Sequence, residues 1–164
     1  MAIEITNAWN TYYKSFQIAT KFHEGQVDKA GISYIHHPKR VAEAILNDNN
    51  TDFDYIDDEQ KIFILTCATV AVLHDVLEDT ECTEEYLREQ GFSEDIIEGV
   101  KSVTRNENES YGNFVKRAAE NQYGKIVKLH DLKDNLDLTR LGKITKDDVP
   151  RINKYLKWYK YLNN

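Results

Sequence analysis

Residues 58–79 read DEQKIFILTCATVAVLHDVLED. The apolar run from Ile62 to Leu73 outlasts the four to eight residues of an ordinary strand, so it predicts a helix crossing a core. Asp57 or Asp58 can cap it, and the pattern extends the helix to residue 79. After Leu73 the character changes abruptly to His74, Asp75, Val76, Leu77, Glu78, Asp79 and Thr80. A His-Asp pair at the buried end of a helix is costly unless both groups are paired or ligate something. Glu78 and Asp79 follow one turn later and share faces with His74 and Asp75. Three carboxylates and an imidazole so crowded repel one another, which raises carboxyl pKa values unless a cation sits among them. A divalent metal meets that need.

Outward from this stretch, the rest of the chain reads as helix and turn. Trp9, Tyr13, Phe16, Ala19 and Phe22 keep helical spacing over 7–24, closed by Gly25. A turn-rich segment at 26–38 leads to Pro38, which suits the first turn of a helix ending at Leu46 and an Asn-rich turn, NDNN. Thr83 and Ser93 open two further helices, the first closed by Gly91 and the second running to Val103. The remaining pattern predicts helices near 110–121, 124–140 and 146–162, with Pro150 in the first turn of the last. The 164 residues are the length of one ordinary domain. With 7 Gly and 2 Pro there is little turn material for a sandwich or barrel. The expectation is an all-α helical bundle in a single domain over 1–164.

Charge narrows the partners. Lys and Arg number 21 against 28 Asp and Glu, so the chain as a whole repels phosphate polymers, and no nucleic-acid polymer is expected. Residues 1–115 carry 9 basic and 22 acidic side chains, whereas 116–164 carry 12 and 6. That basic last third either complements the acidic part of the same fold or faces a small phosphorylated ligand. No run approaches a membrane span, and MAIEITNAWN lacks the features of a signal peptide. Cys67 and Cys82 form neither a CxxC pair nor a disulfide framework, which leaves a cytoplasmic location as the expectation. Tyr155, Trp158, Tyr159 and Tyr161 in the last helix suit internal packing or the face of a homo-oligomer equally.

Two distant segments extend the acidic cluster. One of His36 and His37, before Pro38, can supply a second imidazole, and Asp131 and Asn135 lie one helical turn apart on one face. Two imidazoles and two carboxylates with room for water fit Mn²⁺ or Fe²⁺ better than a closed structural zinc site.

HxGQ at 23–26, Lys29, SYxxHP at 33–38, LHDVLEDT at 73–80, VT at 103–104 and KLxDxxxN at 128–135 occur in that order. Together, over about residues 14–141, they resemble the HD-superfamily hydrolase domain of RelA/SpoT alarmone enzymes, especially its small single-domain members. That resemblance implies a helical, Mn²⁺-dependent phosphohydrolase acting on a small phosphorylated nucleotide. Its expected reaction is removal of the 3′-pyrophosphate of guanosine-3′,5′-bis(diphosphate) by a metal-activated water. By position it implies metal ligation by His37, His74, Asp75 and Asp131, choosing His37 over His36. It implies water activation by Glu78 and Asp79, and substrate contacts from Lys29, Tyr34 and Asn135. Lys128 and Arg140 are further cations that could offset phosphate charge.

The chain departs from that pattern where the family reads the base: Asp28 replaces an Arg, Leu138 falls where a Thr follows an Arg, and His130 replaces a small residue. Two alternatives therefore stand beside alarmone hydrolysis: an HD hydrolase for another phosphoester, and a nucleotide-binding sensor without turnover. His23 is expected to pack or cap the first helix, Cys67 to lie in the core, and His130 to be either a donor to a carboxylate or a surface residue.

Overall fold

The computed structural model describes residues 2–48, 53 and 55–164, and among them the only strand-like pairing is an isolated bridge between Val27 and Ser33. The all-α expectation holds. The chain forms α1 (Ala2–Phe22), α2 (His36–Asp48), α3 (Asp58–Leu73), α4 (Val76–Asp79) and α5 (Glu84–Glu89). It continues through α6 (Glu94–Val103), α7 (Tyr111–Glu120), α8 (Gln122–Asn135), a 3₁₀ turn at Leu138–Arg140, and α9 (Val149–Leu162).

The helix α3 is the axis. Asp57 caps it by accepting the Gln60 N–H, and Ile64, Leu65 and every residue from Cys67 to Leu73 are buried. A helix apolar all round must be enclosed, and α1, α2, α6 and α8 enclose it. A second apolar cluster lies to one side, where Val115, Leu132 and Leu162 pack with Tyr155, Trp158 and Tyr159. The aromatic face of α9 therefore turns inward, while Tyr161 stays half exposed. Gly112 leaves room for this docking, since a Cβ there would sit 2.6 Å from the Trp158 ring.

The expected boundaries shift in four places. The helix predicted over 58–79 ends at Leu73, and His74 and Asp75 form a break before α4. The His74 ring bonds back to the Ala71 carbonyl through Nδ1 (2.7 Å), the acceptor that a continuing helix would offer to the Asp75 N–H. α8 stops at Asn135 rather than 140: Asn135 Nδ2 donates to the Asp131 carbonyl, and the Asp137 carboxylate caps Thr139. α9 starts after Asp148, whose carboxylate holds the Thr145 N–H and hydroxyl in a turn, so 146–148 stay outside it. α1 begins at Ala2, where Ile3 and Ile5 lie two residues apart and so do not show helical periodicity. Of the NDNN turn, Asn47 and Asp48 close α2, and Asn49 and Asn50 lie outside the described residues. Among the described residues no helix is long and apolar enough to cross a membrane.

The start of α8, which carries Asp131 into the interior, depends on close packing at Gly124. A Cβ there would meet the Ala118 carbonyl at 2.8 Å and overlap Ser102 Oγ. Gly124→Ala is expected to cost about 1–3 kcal/mol, as overpacking does. Urea unfolding measures it, and an unchanged midpoint would contradict the packing described.

Candidate metal and phosphate site

The break after α3 brings Asp75 to the lining of a cavity of about 450 Å³, with the buried His74 beside it. His37 enters from the first turn of α2, Asp131 from the middle of α8, and Glu78 and Asp79 from α4. His74 Nε2 lies 2.9 Å from Asp75 Oδ2 and 3.8 Å from Asp131 Oδ1. His37 Nε2 lies 3.2 Å from Asp131 Oδ1 and 3.8 Å from Asp75 Oδ2. The four expected ligands thus converge, although their positions span 94 residues of chain. One potential ligand atom from each of His37, His74 and Asp75 falls within a 4.8 Å group.

Each imidazole is oriented through its far nitrogen. His74 Nδ1 bonds the Ala71 carbonyl, and its buried Nε2 has no hydrogen-bond partner despite the nearby Asp75 oxygen. His37 Nδ1 bonds Asp134 Oδ2 at 2.7 Å. Both therefore aim Nε2 at the carboxylates, the arrangement of ligating histidines. Burial disfavours charge on both rings, but Asp131 and Asp134 push His37 up to about 10, and Asp75 raises His74 above its ordinary value. Burial likewise opposes the charge on Asp75, while the two imidazoles outweigh it and hold the carboxyl below the usual carboxylate range. A cation bound there would take over the role those protons fill.

Two further acids line the cavity beyond the cluster. Glu78 accepts the Arg105 backbone N–H at 2.9 Å. Asp79 reaches solvent, yet partial burial, followed by the charges of Asp75 and Glu78, pushes its carboxyl up to about 6. Tyr34 donates its hydroxyl to Asp75 Oδ2 at 2.5 Å, and Asn135 donates to Asp131 Oδ1 at 2.6 Å. Lys29 stands exposed at the rim. Lys128 is buried and pairs with Asp131 Oδ2 at 2.8 Å.

The rest of the lining is largely basic and aromatic. Arg105, Arg140, Arg151 and Lys154 belong to it with Tyr111 and Tyr155. Lys154 packs against the rings of Tyr111 and Tyr155, at 4.4 and 5.1 Å from their centroids. Among the described residues no carboxylate lies within ion-pair reach of it. Burial first, then Arg105, Lys128 and Arg151, lower its pKa. In the basic last third, Arg140 pairs with Asp28 and Asp134, acids of the same fold, while Lys154 lines the cavity.

No family model matches the chain. It is 33% identical over 147 residues to a guanosine-3′,5′-bis(diphosphate) 3′-pyrophosphohydrolase of Haemophilus influenzae, covering 84% of this chain and 20% of that protein. A protein of the same description from Aquifex aeolicus is 30% identical over 131 residues, covering 75% and 17%. A solved structure, described as a metazoan orthologue of SpoT that hydrolyses ppGpp, superposes with a TM-score of 0.68 at 25% identity, over 93% of this chain and 83% of that one. The chain belongs with the HD-type RelA/SpoT hydrolase domains. It spans about a fifth of the length of the curated relatives named here.

Within that RelA/SpoT frame, the positions that depart from the pattern have definite surroundings. The Asp28 carboxylate accepts the N–H groups of Ala30 and Ile32 and lies 3.5 Å from Arg140. His130 is buried beside Asp48, away from the cavity. His36 is exposed, and Cys67 is in the core. His23 is buried against Tyr34, its Nδ1 2.8 Å from Gln26 Oε1.

Sequence reasoning missed Asp134, Arg40, Arg105, Arg151, Lys154 and Tyr111. Only the positive balance of the last third pointed toward any of them. The pair Lys128–Asp131 yields a direct test of the geometry, because removing one partner of a buried pair costs about 3–5 kcal/mol. Lys128→Met should lose that much by urea unfolding in chelator, and a loss below about 1 kcal/mol would contradict the buried pair.

Proposed function

We propose that this chain is a divalent-metal-dependent phosphohydrolase that removes pyrophosphate from the 3′ position of guanosine-3′,5′-bis(diphosphate). The observation that carries this reading is a single cavity joining an imidazole–carboxylate cluster to a basic, aromatic wall. The donor set fits a cation: the buried His74 Nε2 has no hydrogen-bond partner, and each imidazole Nε2 lies 2.9–3.8 Å from oxygens of Asp75 and Asp131. Bonds of about 2.1 Å, typical of imidazole and carboxylate ligands, place neighbouring donors about 3 Å apart. His37, His74, Asp75 and Asp131 would hold the ion, and this mixed set suits Mn²⁺, with Fe²⁺ as the alternative. A divalent cation supplies Lewis acidity at a phosphoryl oxygen and makes water a better nucleophile near neutral pH.

The remaining work falls to the protein. Asp79, with a carboxyl near 6, and Glu78, anchored by the Arg105 N–H, accept the proton of the attacking water. Water adds to the phosphorus next to the 3′ oxygen, the P–O bond breaks, and the 3′ oxygen takes up a proton. Tyr34 and Asn135 hold the oxygens of Asp75 and Asp131 in place and present their remaining surfaces to the nucleotide. Lys29, Arg105, Arg151 and Lys154 balance phosphate charge. Lys154, with no carboxylate in ion-pair reach among the described residues, supports an anionic occupant there, because a cation set beside Arg105, Lys128 and Arg151 without a counter-ion of its own is unfavourable.

The test is pyrophosphate release from this nucleotide with Mn²⁺ and with chelator. The wild type should release it only with metal. Asp79→Asn should slow release by about 10²–10⁴-fold, the usual contribution of a positioned acid–base group. Asp75→Ala should abolish release with helicity by circular dichroism unchanged. Full activity in metal-verified Asp75→Ala would overturn the proposal. Metal-dependent binding without release would favour a sensor, and release only from other phosphoesters would leave the chemistry and change the substrate.

A further inference from the structure

The His37 imidazole differs from that of His74 in what orients it. His74 is aimed by a backbone carbonyl, whereas His37 depends on one side chain, Asp134. That carboxylate is saturated. Its Oδ2 takes His37 Nδ1, Arg40 Nη2 (3.1 Å) and Arg140 Nη2 (3.2 Å), and its Oδ1 takes Arg40 Nε (2.8 Å). Arg140 Nη2 also bonds the Asp134 carbonyl at 2.8 Å. The other arm of Arg140 reaches Asp28, whose carboxylate fixes the loop carrying Lys29. The side chain of Asp134 is only 11% exposed, so it has little room to reorient.

We infer that Asp134 is a positioning residue, holding His37 with Nε2 toward the metal-binding cluster, and that Arg140 and Arg40 lock it in that role. The inference rests on the metal-dependent reading above. Two features set Asp134 apart from the ligands around it. Its oxygens are already occupied by donors, so it does not compete for a cation. It also belongs to a balanced group of two carboxylates, Asp28 and Asp134, and two guanidiniums, Arg40 and Arg140. This group adds no net charge beside a site that needs its own excess of negative charge. Without Asp134 the ring of His37 loses the acceptor that fixes its tautomer and its rotation. The same network ties the orientation of a buried ligand to the loop at the rim of the cavity.

The experiment is Mn²⁺ binding to the full chain, stripped with chelator and measured by calorimetry, with melting temperature recorded in parallel. Asp134→Asn keeps the shape but loses the charge, and its affinity should fall about 10–100-fold, the usual effect of losing such an outer partner. The melting temperature of the metal-free protein should fall only moderately, since the released Arg40 and Arg140 are 27–30% exposed and can be solvated, and binding is measured well below it. Asp134→Glu should recover part of the affinity. Arg140→Gln, which leaves the carboxylate on His37, should lose less than Asp134→Asn. Mn²⁺ affinity of Asp134→Asn within twofold of a binding wild type would overturn the positioning role and leave the metal site standing. A wild type that binds no Mn²⁺ would overturn both.

Discussion

Negative charge is concentrated at the buried end of an apolar helix, and much of the structure compensates for it. Asp75 and Asp131 meet two imidazoles in a setting where ions are poorly solvated, an arrangement that is unfavourable unless each oxygen and nitrogen is matched. Lys128 answers Asp131 from one turn earlier in α8, and Tyr34 and Asn135 donate to the same carboxylates. The break after Leu73 belongs to this solution. His74 keeps helical dihedrals as the last residue of this run, and by bonding the Ala71 carbonyl it turns its other nitrogen to the cluster. The apolar mass of α3 then supplies the rigid backing that holds the group in place.

The cavity is lined in two parts of opposite character, and the topology explains them. Acidic residues of α4, α8 and the turn after α3 line it, while α9 packs along α8 and adds Arg151, Lys154 and Tyr155 to the lining. A neutral ligand would gain little from either part. A phosphorylated one could satisfy Lys154 at the wall and place phosphoryl oxygens toward the cluster. The packing of Trp158 on Gly112 sets the height of that wall, so a feature remote from the acids helps shape the site.

The length and apolar character of 58–73, the caps at Asp57, Thr83 and Ser93, and the stop at Gly91 all carried the helical architecture in local sequence. The chemical cluster was legible because HDxxED is compact and the SYxxHP and KLxDxxxN motifs recur at recognisable order. What stayed hidden was long-range pairing. Asp134 meets His37 across 97 positions, and Arg140 meets Asp28 across 112. Neither contact leaves a periodic trace, and Asp28 reads as an isolated acid until Arg140 is seen beside it. The helix break was equally hidden, since Val76 and Leu77 continue the apolar pattern across it.

The most direct test of this account is a crystal structure of the Mn²⁺-soaked protein with anomalous data collected at the manganese edge. The account predicts one strong peak among His37 Nε2, His74 Nε2 and the carboxylates of Asp75 and Asp131, absent from crystals of His74→Ala. A fully soaked crystal with no peak there, or with the peak on other residues, would contradict it.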